Sequence, residues 1–171
     1  MKMNKDTTDD DTTKNLPSDK VVLYGQDAVD RVKEMEGDRE LSLAEELVIR
    51  EEGFVNKPYE DTKGIRTYGV GQTGKYMTMP FGKVFKIHED DARKYIPDYD
   101  NLNDKGKAAI MSAAYRGDLQ QSPTFRKLFN KKKYKEAAKE FLNNDDYRKS
   151  LLTKSGVAGR FERIANIVSN L

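Results

Sequence analysis

In the stretch EEGFVNKPYEDTKGIRTYGVGQTG, Glu52 is followed after eight residues by Asp61 and, after five more, by Thr67. Two carboxylates on elements that meet at a cleft can break a glycosidic bond. One, held protonated, gives its proton to the leaving oxygen, while the other stays ionised on the opposite face of the sugar. By spacing alone, such a pair is also what a solvated surface offers, because the chain carries 29 acidic residues and acids prefer water. Other chemistries are narrowed by composition. There is no Cys and only one His, His88, which removes disulfide frameworks, thiolate metal sites and cysteine nucleophiles. Hydrolysis in this chain has to run on carboxylates or hydroxyls.

The elements that must hold these groups can be read from local pattern. Ser42 and Glu45 form a capping-box pair, and Leu43, Leu47 and Val48 then share one side of a helix that Gly53 can end. Glu51 and Glu52 fall in its last turn, beside the apolar stripe. For Glu52, partial burial and the negative end of its own helix both favour the neutral acid, whereas Asp61 on a polar turn meets no such pressure. From Pro58 to Gly74 the chain changes to turn formers and β-formers, a small hairpin sheet. After residue 87 it is helical: Glu89–Ile96 stopped by Pro97, Lys107–Tyr115 apolar around most of its circumference, then helices around Phe125–Phe129, Tyr134–Phe141 and Phe161–Val168. Ser122 with Pro123 offers an N-cap and a first-turn proline. The expected fold is an α+β, two-lobed domain: a small antiparallel hairpin sheet, a helical lobe and a groove between them.

The chain has 171 residues, 36% of them hydrophobic, enough for one core but lean for the whole length. Lys and Arg number 31 against 29 Asp and Glu, but residues 1–40 hold 7 basic and 11 acidic side chains. Residues 1–18 are almost entirely Asp, Thr, Lys and Asn, too polar to offset the entropy of ordering. The apolar patch Val21–Tyr24 and the stripe Ala28, Val29 and Val32 are enough to dock on something. The expected division is therefore an acidic, flexible N-terminal arm at 1–40 serving as a docking element, and a compact domain at 41–171. No apolar run approaches the roughly 20 residues that span a bilayer, so no membrane insertion is expected. Synthesis as a soluble cytoplasmic protein follows.

The string Glu52-Gly53, Tyr59, Asp61-Thr62, Gly64, Thr67, Gly69, Gly71 resembles the active-site signature of phage-type lysozymes, the family of the T-even phage lysozyme, in spacing as well as residue type. LFNKKKYKEAAKEF at 128–141 and GVAGRFERI at 156–164 resemble later segments of the same family, so the likeness runs from about residue 41 to the end. It implies a lysozyme-like fold in which Glu52 is the general acid, and Asp61 with Thr67 holds and activates the attacking water. It further implies inversion at the anomeric carbon, with a gap of about 6.5–9.5 Å between the carboxyl groups. Arg160 and Arg163, at i, i+3 on one helical face, would pair with Glu52 and Glu51, though a solvated face has the same spacing. Tyr68, Gln72 and Tyr76 are candidate sugar-groove residues, the aromatics being equally suited to local core. Tyr115 and Arg116 are candidates for the substrate's other side. Many relatives carry His where this chain has Gln72, so an ion pair is expected to be missing there. Many also run one long interlobe helix where this chain, broken by Pro97, looks short.

The implied activity is that of a muramidase, hydrolysing the β-1,4 bond between N-acetylmuramic acid and N-acetylglucosamine of bacterial peptidoglycan, in the periplasm or cell wall, with no cofactor and no metal. Residues 105–171 hold 15 basic side chains against 6 acidic, which suits an anionic wall. They show no aromatic platform for nucleic acid, which is not an expected partner. The arm points to a virion-associated enzyme of tail or capsid, docked to other virion proteins through residues 1–40. A freely released endolysin and a particle structural protein with a lysozyme-like fold are the alternatives.

Overall fold

A computed structural model describes residues 21–61, 63–153 and 156–171. Thr62 of the signature and residues 1–20 of the expected arm lie outside the described residues. The fold is α+β, as expected: among the described residues, eight α-helices accompany one four-stranded antiparallel sheet of order β1-β2-β3-β4. The chain divides into two compact units, one up to Val84 and one from Phe85 to Leu171.

The first unit opens with β1 (Val22–Leu23), α1 (Gly25–Met35) and α2 (Leu43–Glu52), followed by β2 (Phe54–Glu60), β3 (Arg66–Gly69) and β4 (Gln72–Thr73). Residues 22–35 thus supply a strand and a helix of the first unit. The physical reason is the thin apolar stripe itself. Ala28, Val29 and Val32 are buried on α1, which packs on α2, and Val22 and Tyr24 join Val55 and Tyr59 in one apolar cluster. Each fully buried valine contributes about 1.5–3 kcal/mol, so the element the sequence marks for docking docks on its own domain. Charge adds to this. Arg39 pairs with Glu36 at 2.8 Å and with Glu45, Glu45 completes the capping box with Ser42, and Glu36 Oε1 accepts the Gly82 N–H at 2.7 Å. A chain beginning at residue 41 is therefore expected to lose several kcal/mol of stability. Thermal unfolding followed by circular dichroism checks this, and an unchanged midpoint would contradict it.

α3 (Phe81–Tyr95) begins eight residues earlier than the sequence pattern suggested, and at 15 residues it is not short. Phe81, Val84, Phe85 and Ala92 form its buried side. Pro80 and Gly82, which resemble the preceding turns, hid the start.

In the second unit α4 (Asp104–Arg116) is the central helix expected, with Ala108 to Ala114 all buried. It packs on α8 (Gly156–Ser169). α5 (Pro123–Asn130) and α6 (Tyr134–Phe141) complete an aromatic core in which Phe125, Phe141 and Phe161 stack in series at 5.0 and 5.1 Å. Pro123 stands in the first turn of α5, but the Ser122 hydroxyl makes no capping bond. Ser122, at φ −121° and ψ 67°, lies off the extended backbone geometry from which an N-cap side chain reaches the first turn. α7 (Asp145–Thr153) was not legible in the sequence: Leu151 and Leu152 are half and 86% exposed, so no apolar stripe announces it. Polar bonds hold it instead, from Tyr147 N–H to Asn144 Oδ1 at 2.7 Å and from Ala158 N–H to Ser150 Oγ at 2.6 Å. No helix among the described residues is long and apolar enough to cross a membrane.

Candidate active site

Glu52 is the last residue of α2, and Gly53, whose N–H reaches back to the Ile49 carbonyl at 2.7 Å, turns the chain directly into β2. The two neighbouring acids separate there. Glu51 is buried at 2% exposure, whereas Glu52 is half-buried. The Glu52 carboxyl lies against the β3–β4 turn, its Oε2 only 2.9 Å from where a Cβ on Gly71 would stand. Gly71 has φ +61°, so a glycine is required here both by backbone geometry and by the space the carboxyl occupies.

Asp61 sits at the other end of the same hairpin. Its N–H donates to the Ile65 carbonyl at 2.9 Å and its carbonyl accepts the Gly64 N–H at 3.0 Å, closing the β2–β3 turn. Oδ1 accepts the N–H groups of Lys63 and Ile65 at 2.9 and 2.8 Å, the side chain of an Asx turn. Oδ2 accepts no hydrogen bond among the described residues. Thr67 is buried in β3 between Tyr59 and Thr73 of the neighbouring strands. Its hydroxyl donates to the Ile65 carbonyl at 3.1 Å, which leaves its lone pairs as acceptors. Tyr59 is its cross-strand partner, and Asp61, two residues beyond Tyr59, follows on the same side by strand alternation.

The sheet is irregular between these groups. Val55 pairs with Gly69 and Tyr59 with Thr67, so four steps along β2 answer two along β3. The surplus falls at Asn56, Lys57 and Pro58, and Pro58 has no N–H to give a ladder. Asn56 is instead tied to the edge strand, its Oδ1 accepting the Val21 N–H at 3.1 Å. A bulge of this kind bends the strand that joins Glu52 to Asp61. β3 itself has four residues, roughly 13 Å at about 3.3 Å per residue between its two turns. Glu52 stands at one turn and Asp61 at the other.

The other residues singled out by the sequence fall as follows. Tyr68 meets Phe54 edge to face at 6.2 Å and lines a cavity of about 450 Å³ with Met35, Met77, Met79 and Phe81. Gln72 is 5% exposed and turned inward, where Nε2 donates to the carbonyls of Tyr76 and Met79 at 2.8 and 2.9 Å. Tyr76 lies in a 3₁₀ turn, Gly74–Thr78, under the Lys75 ammonium at 5.4 Å. The remaining candidates belong to the second unit. Tyr115 faces His88 at 5.0 Å. Arg116 binds Asp118 at 3.0 Å and lies over the Phe161 ring. Arg160 is buried on α8, with Nη2 on the Ser112 carbonyl at 3.2 Å. Arg163, one turn on, folds back to within 3.1 Å of the Cβ position on Gly159. Burial pushes the Asp118 carboxyl up from its ordinary value, against the pull of Arg116 and Arg160. The contact that sequence reading missed is Gly71 with Glu52. Its only signal was a glycine at a fixed place in the motif.

The phage lysozyme family model matches residues 49–163, a span that includes Glu52, Asp61 and Thr67. No curated protein and no solved structure matches the chain.

Proposed function

The chain belongs to the phage lysozyme family, and from that premise we propose that it is a muramidase cutting the β-1,4 bond between N-acetylmuramic acid and N-acetylglucosamine, with Glu52 as general acid. Glu52 delivers its proton to the glycosidic oxygen. A water held by Asp61 Oδ2 and the Thr67 hydroxyl attacks the anomeric carbon from the opposite face. Asp61 takes the water's proton as the new C–O bond forms, and the anomeric configuration inverts. Besides the water and the sugar, these proton transfers use only Glu52 and Asp61.

The observation that carries this reading is the placing of two carboxylates at the two ends of one short hairpin, Glu52 against Gly71 and Asp61 in the β2–β3 turn. Asp61 is pinned through Oδ1 by two backbone N–H groups, which fixes the orientation of its carboxylate. Glu52 leaves a helix C-terminus and rests against a glycine. Product analysis on purified peptidoglycan tests the assignment. New reducing ends are expected on muramic acid, released with inverted anomeric configuration; reducing ends on glucosamine, or freed amino groups without new reducing ends, would overturn it.

The enzyme's place of action follows from composition. With residues 22–35 placed in the first unit, docking to a virion falls to the Asp-, Thr- and Lys-rich residues 1–20. A chain beginning at residue 21 is expected to be missing from purified particles while still cutting peptidoglycan. Its retention in particles would remove residues 1–20 as the docking element, and absence of the full chain from particles would favour a freely acting enzyme.

A further inference from the structure

The β3–β4 turn, Gly69-Val70-Gly71-Gln72, is held between two side chains. On one side the Glu52 carboxyl occupies the space beside Gly71. On the other, Gln72 Oε1 lies 2.8 Å from the Cβ position of Gly69, whose φ is +64°, and accepts the Val70 N–H at 3.4 Å. The Gln72 amide then spends both donors on the chain just ahead, on the carbonyls of Tyr76 and Met79. One buried, neutral side chain thus ties the turn to the 3₁₀ segment that follows it. Val70 is fully buried between these ties. The segment being tied also lines the 450 Å³ cavity, through Met77, Thr78 and Met79. Packing alone does not hold it, and a segment beside open space moves when its bonds are cut.

We propose that Gln72 is a positioning residue for the general acid: its amide clasps the turn whose Gly71 seats the Glu52 carboxyl, and so sets where the proton is delivered. The proposal rests on the reading of Glu52 given above. A neutral amide suits the role because it supplies an acceptor and two donors in one rigid plane and its bonds do not vary with pH. A carboxylate could accept from Val70 but would face the Tyr76 and Met79 carbonyls with no proton to give. The titratable groups around the same cavity are Glu36, which is paired with Arg39, and Tyr68.

Gln72→Leu and Gln72→Glu in the full chain, assayed on purified peptidoglycan beside Glu52→Gln and with thermal melts of each, test this. For Gln72→Leu, kcat is expected to fall by about tenfold to a hundredfold with KM within about twofold, as a misplaced reacting group requires. For Gln72→Glu, kcat relative to the native chain is expected to rise as pH falls, because the protonated carboxyl regains one donor for the two carbonyls. A native kcat in Gln72→Leu below its melting point would overturn the proposal. So would a Gln72→Glu ratio that stays flat with pH, which decides the matter even where the leucine variant does not fold. Inactive Glu52→Gln with unaffected Gln72 variants removes the positioning role alone, whereas active Glu52→Gln removes the reading of Glu52 and the proposal with it.

Discussion

Glu52→Gln is expected to reduce peptidoglycan cleavage by about a thousandfold while leaving the fold intact. The amide has the size and shape of the acid, and the site that receives it is half-buried against a glycine, so the substitution creates no cavity. What it removes, on the role proposed for Glu52, is the proton for the leaving oxygen. Without it the sugar alcohol must depart as an alkoxide, and the attack by water on the opposite face cannot compensate. The expected pattern is a collapse of kcat with little change in KM, since the group acts in the transition state. Melting midpoint and kcat measured on the same preparation separate lost chemistry from lost structure. A folded variant that clears cell walls at the native rate would end the assignment of Glu52 as the acid.

Gly71→Ala is expected to cost about a hundredfold in activity for a different reason. The new methyl would stand 2.9 Å from Glu52 Oε2 and 3.4 Å from Cδ. Contacts under 3 Å are not sustained, and the freer partner is the end of the glutamate side chain, so the carboxyl moves. A displacement of about 1 Å in a reacting group can cost about a hundredfold in rate. The backbone adds its own penalty, because φ is +61° at this position and an L-residue in the left-handed region loses about 1–2 kcal/mol. Gly37→Ala separates the two effects: its φ is +72° and nothing lies within 4 Å of the added methyl. Both variants should melt lower by a similar amount, and only Gly71→Ala should lose activity. Equal activity losses in the two would show that backbone strain, rather than contact with Glu52, governs the effect.

How far each part could be foreseen depended on how local its cause is. The Ser42–Glu45 capping box, the helix it begins and the Gly53 that ends it were legible because every partner lies within a few residues. The buried circumference of α4 and the hairpin from Tyr59 to Thr73 were legible for the same reason. α7 was not, because its supports are an asparagine cap and a serine bonded eight residues away, neither of which leaves an apolar period. The role of α1 was half legible. Ala28, Val29 and Val32 announced a face that needs cover, but pattern cannot say whether the cover comes from another molecule or from α2.

Residue types and short spacings already supply the chemistry on offer: an acid at a helix end, an Asp at a tight turn, a Thr in a short strand, and no thiol to compete with them. These are matters of residue type and of spacing along a locally regular chain. Three-dimensional packing is what sets which carboxylate faces the turn and which is buried, that Gly71 lies against Glu52, and that Gln72 points inward beside it. Such relations are set where separate segments pack together. Side chains there compete for the same few ångströms, and no periodicity along one strand or helix records the outcome.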